Sequence, residues 1–187
     1  GANWAGATGD TTIDSNHLAL SSGETDIYWH TASYGAAQEA YVTLSTISPN
    51  AAEIGLILKA QSSGGSRPAL LDILYNPAQG IVQAWGYVPA VGWQQFGADI
   101  PATFSAGDRF GVRARSDAAL EVYRNGQLLG TRDTSSWPYG LNGGYIGLFM
   151  VDASGTQLDD FGGGNVYVPQ PTPTATATNT PVPPTST

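Results

Sequence analysis

Gln83, Trp85 and Tyr87 occupy every second position of the run Ile81–Val88, opposite Val82, Ala84, Gly86 and Val88. In an extended strand they share one face. Two rings and an amide on an open face suit a saccharide, whose apolar ring face stacks on an aromatic while its hydroxyls bond to the amide. The same spacing allows a second reading, with Trp85 anchored in the core and the small residues outside, because tryptophan is highly buried on average. Tyr28 and His30 against Ile27 and Trp29 pose the same choice. Trp93 and the segment Ser136-Trp137-Pro138-Tyr139-Gly140 carry further rings in what read as loops, where an aromatic caps the edge of a core.

Acidic residues offer a second chemistry. Asp10, Asp14, Asp152, Asp159 and Asp160 are candidate oxygen ligands for a structural calcium, with Asp159 and Asp160 the adjacent pair. The competing reading is solvated or turn-capping aspartates. No Asp-x-Asp-x-Asp loop is present, but Asp160 alternates with Leu158 and is expected to point inward, where it needs partners or a cation. His17 and His30 lack zinc-site spacing, and there is neither a Gly-x-Ser-x-Gly elbow nor a phosphate-binding loop. Gly162-Gly163-Gly164 reads as a tight bend ending the last strand. No catalytic residue and no required cofactor follow from these motifs.

The elements that must hold these residues are strands. Runs rich in β-branched and aromatic residues recur between Gly, Pro, Asn, Asp and Ser clusters: Asp26–Thr31, Glu39–Ile47, Glu53–Ala60, Ala69–Tyr75, Ile81–Val88, Phe110–Arg115, Ala119–Tyr123, Gln127–Arg132, Tyr145–Val151 and Gln157–Phe161. This pattern predicts an all-β fold, a two-sheet antiparallel sandwich. Asn125-Gly126 between two runs predicts a type I′ hairpin, and Asn76–Gly80 a longer one. Alternation turns Val42, Leu44, Leu56, Leu58, Phe110, Val112 and Ala114 toward the core.

The order of pieces resembles the laminin-G-like, concanavalin A-like lectin/glucanase jelly rolls of secreted bacterial modular proteins. The resemblance lies in Ala40-Tyr41-Val42-Thr43-Leu44, Gly107-Asp108-Arg109-Phe110-Gly111, Val122-Tyr123-Arg124-Asn125-Gly126, Gly143-Gly144-Tyr145-Ile146-Gly147-Leu148 and Leu158-Asp159-Asp160-Phe161-Gly162-Gly163-Gly164. It implies two opposed antiparallel sheets and a glycan-related role. Glucanases of this superfamily use Glu-x-Asp-x-x-Glu on a strand to aim two carboxylates at one glycosidic bond. Glu24-Thr25-Asp26 begins that pattern and Trp29 ends it. Related domains also start with an additional strand before the segment matching Gly1-Ala2-Asn3-Trp4, which is either left out here or supplied by something else.

Charged residues are 12% of the chain, with a net charge of −8, against a usual charged share of about 25%. That balance speaks against nucleic acid as a partner. There are no cysteines, and no stretch reaches the ~18 apolar residues of a membrane span. Residues 1–168 are expected to form one domain, and the start at Gly1 suggests a processed product or an excised piece. Residues 169–187 change character, to a tail of Thr, Pro and small residues that cannot bury enough surface to fold and reads as an extended linker. Thr172, Thr174, Thr176, Thr178 and Thr180 are candidates for O-glycosylation. The expectation is an extracellular or cell-surface, non-catalytic structural and adhesive unit of a fibre or chained protein. Its partners would be copies of itself or adjacent modules, with the tail segment Thr174–Thr180 as a donor strand. The alternative is a carbohydrate-binding module tethered to a secreted polysaccharide-active enzyme.

Overall fold

The computed structural model describes residues 2–20, 23–62 and 66–166. The expected tail linker, with Thr172, Thr174, Thr176, Thr178 and Thr180, lies outside the described residues. Asn125 and Gly126 take φ of 52° and 79°, and Arg124 pairs with Gln127 across them. This is the two-residue hairpin that Asn-Gly predicts. At the second hairpin the Asn76 carbonyl accepts from Gly80 N at 3.0 Å, and the Asn76 side chain accepts from Gln79 N.

Fifteen strands are described: β1 Trp4–Gly6, β2 Thr11–Asp14, β3 His17–Leu20, β4 Glu24–Trp29, β5 Gln38–Thr46, β6 Glu53–Ala60, β7 Leu70–Asn76, β8 Ile81–Val88, β9 Gly92–Gln95, β10 Ile100–Pro101, β11 Arg109–Ala114, β12 Ala119–Arg124, β13 Gln127–Asp133, β14 Tyr145–Val151 and β15 Gln157–Asn165. One sheet runs β1-β4-β14-β6-β7-β8-β10 with β9 also on β8, and the other runs β13-β12-β11-β5-β15-β3-β2. The fold is an antiparallel sandwich, as the alternation predicts. Short strands β1, β2, β3, β9 and β10 are additions, since two to four residues show too little periodicity to be read.

Between the sheets lies the main core. Val42, Leu44, Leu56, Leu58, Phe110, Val112 and Ala114 all point into it and are fully buried. Trp137 from the Ser136–Gly140 loop fills the same core beneath Gly86, so the capping role holds for that ring. A Cβ on Gly86 would lie 2.7 Å from Phe96 Cε2 and 2.9 Å from Trp137 Cδ1. Gly86→Ala is therefore expected to lower stability by about 1–3 kcal/mol through overpacking, read as a shift of the urea midpoint.

Three features depart from simple alternation. Lys59 sits at positive φ and is fully buried, and its Nζ donates to Gly140 O at 2.5 Å. Burial alone pulls its pKa down to about 8. Gly162-Gly163-Gly164 is not a bend: it continues β15 along β5, opposite Tyr41, Ala40 and Glu39. The glycines let the strand lie under the Tyr41 ring, within 2.5 Å of where a Cβ on Gly162 would stand. Finally, Trp4 on edge strand β1 packs its ring on Trp29 of β4 and on Phe161 of β15, at 5.7 and 5.0 Å between centroids. One indole thus ties an edge of one sheet to an inner strand of the other.

Candidate functional site

The outer face of the eight-stranded sheet carries a second apolar cluster of Tyr28, Ile57, Ala60, Leu70, Leu74 and Phe149, with Trp85, Tyr87, Tyr145 and Val151 packed on it. The register sets these residues in rows across the strands. One row runs Asp26, Phe149, Gly55, Leu74, Gln83, and the next Tyr28, Gly147, Ile57, Asp72, Trp85, Gln95. A third joins Leu70, Tyr87 and Trp93. Gln83, Trp85 and Tyr87 do share this outer face, while Val82 and Ala84 enter the core.

Arg67, from the connection between β6 and β7, reaches over these rows. Its Nε donates to Asp26 Oδ2 at 2.6 Å and its terminal nitrogen donates to Glu24. The guanidinium carbon stands 5.3 Å from the Trp93 ring, 5.4 Å from Phe149 and 5.9 Å from Tyr87. A cleft of about 430 Å³ opens beside it, lined by Glu24, Glu53, Arg67, Leu74, Trp85, Trp93, Phe149 and Val151. Trp93 is 40% exposed; Trp85 is half-buried.

A polar chain fixes the second indole. Trp85 Nε1 donates to Gln83 Oε1 at 3.3 Å, and Gln83 and Gln95 both donate to Asp99 Oδ1, at 2.8 and 2.7 Å. Gln83, expected to meet sugar hydroxyls, thus orients Trp85 as well. Tyr87 does not line the cleft; it supports Trp93, ring to ring at 4.9 Å.

Beneath Arg67 lies a set of buried polar atoms without partners among the described residues: both carboxylate oxygens of Asp72, Asp26 Oδ1 and the Tyr28 hydroxyl. Burial, followed by the charges of Asp26 and Glu53, pushes the Asp72 carboxyl well above the usual range. Burial also raises Asp26, more than its bond to Arg67 lowers it. Glu53 is raised by burial and by Glu24.

Elsewhere the outcome differs from expectation. Asp160 does not point inward: β15 is irregular between Asp159 and Gly162, Asp160 takes a φ of 49°, and its side chain is exposed. The irregularity resets the alternation that Leu158 starts. Asp159 lies 3.8 Å from His17 Nε2 and accepts from Asp160 N. Among the described residues no group of three His, Cys, Asp or Glu side chains is placed to hold a metal ion. Trp29, where the glucanase pattern has its second glutamate, packs on the main core. His30 pairs through Nε2 with Ala2 O. Sequence reading missed Arg67, Asp72 and the strand position of Trp93. Asp72 did carry a signal, a lone acid within a run of leucines.

These features define a class by fold: a two-sheet antiparallel jelly roll with a ring-lined cleft on the outer face of one sheet. No protein-family model matches the sequence, and no curated protein matches it. Solved structures do match in fold. The carbohydrate-binding module CBM66 from Bacillus subtilis is similar with a TM-score of 0.65 and 13% identity, over 87% of this chain and 96% of that one. A Bacillus subtilis protein with a galectin-like fold is similar with a TM-score of 0.62 and 12% identity, over 87% and 88%. Alginate lyase A1-II′, of polysaccharide lyase family 7, is similar with a TM-score of 0.51 and 9% identity, over 85% and 84%. These likenesses bear out the two-sheet antiparallel jelly-roll fold; a laminin-G-like membership is not shown.

Proposed function

We propose that this protein is a non-catalytic carbohydrate-binding module that takes a saccharide in the cleft between Trp85 and Trp93. The observation that carries this reading is the pair of indoles held at one opening, with the Glu53 carboxyl on its wall. A sugar ring stacks on such a surface while a carboxyl accepts from its hydroxyls. The neighbouring fold described as a carbohydrate-binding module supports it. Hydrolysis of a glycosidic bond ordinarily uses a pair of carboxyl groups flanking that bond. Glu24 and Asp26, the alternating pair, are both tied to Arg67.

Secretion and a tethering tail belong to the same proposal. The fibre reading rests on residues outside the described ones and draws no support from the neighbouring folds, so carbohydrate binding takes first place.

The test is titration calorimetry of the full chain against a panel of soluble neutral polysaccharides, with a parallel assay for chain cleavage. Saturable binding to a subset of the panel, without cleavage, is expected. Cleavage of any of them, or no binding to any, overturns the proposal.

A further inference from the structure

The outer face of the other, seven-stranded sheet holds a depression of about 530 Å³ built around a glycine. Tyr41, Gly111 and Tyr123 stand in one row across β5, β11 and β12. Their chain neighbours Val42, Val112 and Val122 fill the core, so this row faces outward. Strands are ~4.8 Å apart, which places the two tyrosine backbones about 10 Å from each other. With no side chain at Gly111 and the Tyr41 ring leaning over Gly162, an open slot is left above Gly111, lined by Tyr41 and Arg109 on one side and by Tyr123, with Arg113 5.4 Å from its ring, on the other.

Packing does not demand that glycine. A Cβ on Gly111 would meet the Cβ atoms of Tyr123 and Tyr41 at 3.7 and 3.8 Å, ordinary contact distances, and the residue is not at positive φ. Valine is also the better strand former. The open slot is what glycine supplies.

The slot is charged at both ends, because Arg109 and Arg113 flank Gly111 on the same face of β11. Arg113 is neutralised by Glu39, whose Oε2 accepts from it at 2.8 and 3.2 Å. Arg109 is different. Its guanidinium stacks 3.3 Å from the centre of the Tyr41 ring. Arg67, Arg113, Arg115, Arg124 and Arg132 all donate to carboxylates or carbonyls. Among the described residues the Arg109 side chain donates to neither. In a chain with 15 acidic residues against 7 basic ones, the one described arginine whose side chain donates to neither a carboxylate nor a carbonyl has its N–H groups open to an anion from outside.

We infer that this slot is a second saccharide site, selective for a sugar ring that bears a carboxylate. The ring enters between the tyrosines above Gly111, and Arg109, already flattened on Tyr41, takes the carboxylate through two parallel N–H bonds. The site is separate from the Trp85–Trp93 cleft and does not depend on it.

Amide chemical shifts of the full chain, titrated with a galacturonic acid trimer, a neutral galactose trimer and inorganic phosphate, provide the test. The acidic trimer is expected to shift the amides of Tyr41, Gly111 and Tyr123. Arg109→Gln should weaken that binding at least ~tenfold, Gly111→Val should abolish it by filling the slot, and Trp93→Ala should leave it unchanged. Equal response to phosphate would mean an anion site only, and equal response to the neutral trimer would remove the role of Arg109. Either result overturns the inference, as do indifference to Arg109→Gln, loss of binding in Trp93→Ala, or no shift at these amides.

Discussion

Trp93→Ala is expected to weaken saccharide binding by about 1–3 kcal/mol, or roughly 5- to 150-fold, while the melting temperature barely moves. The reason is location. Trp93 stands on the four-residue strand β9, is 40% exposed, and packs on Tyr87 and Arg67 rather than in the core. Its removal exposes the Tyr87 ring but opens no interior cavity. Trp85→Ala should behave differently, because that ring both lines the cleft and covers the second apolar cluster. It should lose comparable affinity and also stability, short of the ~3–5 kcal/mol for a fully buried ring. Calorimetry and thermal unfolding of both variants separate the two effects. Unchanged affinity in Trp93→Ala would remove the cleft from consideration.

Asp72→Asn is expected to stabilise the protein at neutral pH, because the amide is neutral without taking up a proton on folding; each pKa unit of upward shift relieved in this way corresponds to about 1.4 kcal/mol. Asp72 is fully buried with both oxygens unpartnered, and its folded pKa lies above the ordinary 3.8. The folded state therefore holds a proton that the unfolded state releases. Its contribution to stability is fully present below about pH 4 and is lost as pH rises through the raised folded pKa. Asp26 and Glu53 act in the same direction, whereas the lowered Asp108, Asp117 and Asp133 oppose them. The difference between variant and wild type isolates residue 72. Urea midpoints from pH 4 to 8 should show a gap that widens with pH in favour of Asp72→Asn. A gap that stays constant, or that favours the wild type at pH 8, would show that Asp72 is satisfied as an anion.

The legible part of this molecule was what repeats locally. Alternation along β5, β6 and β11 identifies which residues face the core, and the turn chemistry of Asn125-Gly126 identifies a hairpin. On β8 the same rule groups Gln83, Trp85 and Tyr87 on one face and leaves open whether that face is the core; the structure turns it outward, with Tyr87 supporting a ring instead of presenting one. What stayed hidden depends on distance along the chain or on broken periodicity. Arg67 meets Asp26 across 41 positions, and no spacing rule links a Ser/Gly-rich connection to a distant strand. Asp160 was misplaced because one irregularity in β15 inverts every later residue. The Gly162–Gly164 run looked like a stop, since glycine is a breaker by propensity; here it makes room for a tyrosine ring.

The Trp4 ring has a mechanical meaning. A chain held by its two ends transmits tension into β1, a three-residue strand paired only with β4 among the described residues, and into β15, a nine-residue strand between β5 and β3. The ladders are unequal, so β1 is the part that yields. Trp4 bears on Phe161 of β15 directly, which lets part of the load bypass the backbone ladders and cross the sandwich from the first described strand to the last. Under stretching, the detachment of β1 is governed by the separation of these two rings as much as by its few hydrogen bonds, and the remaining strands are spared until that latch has opened.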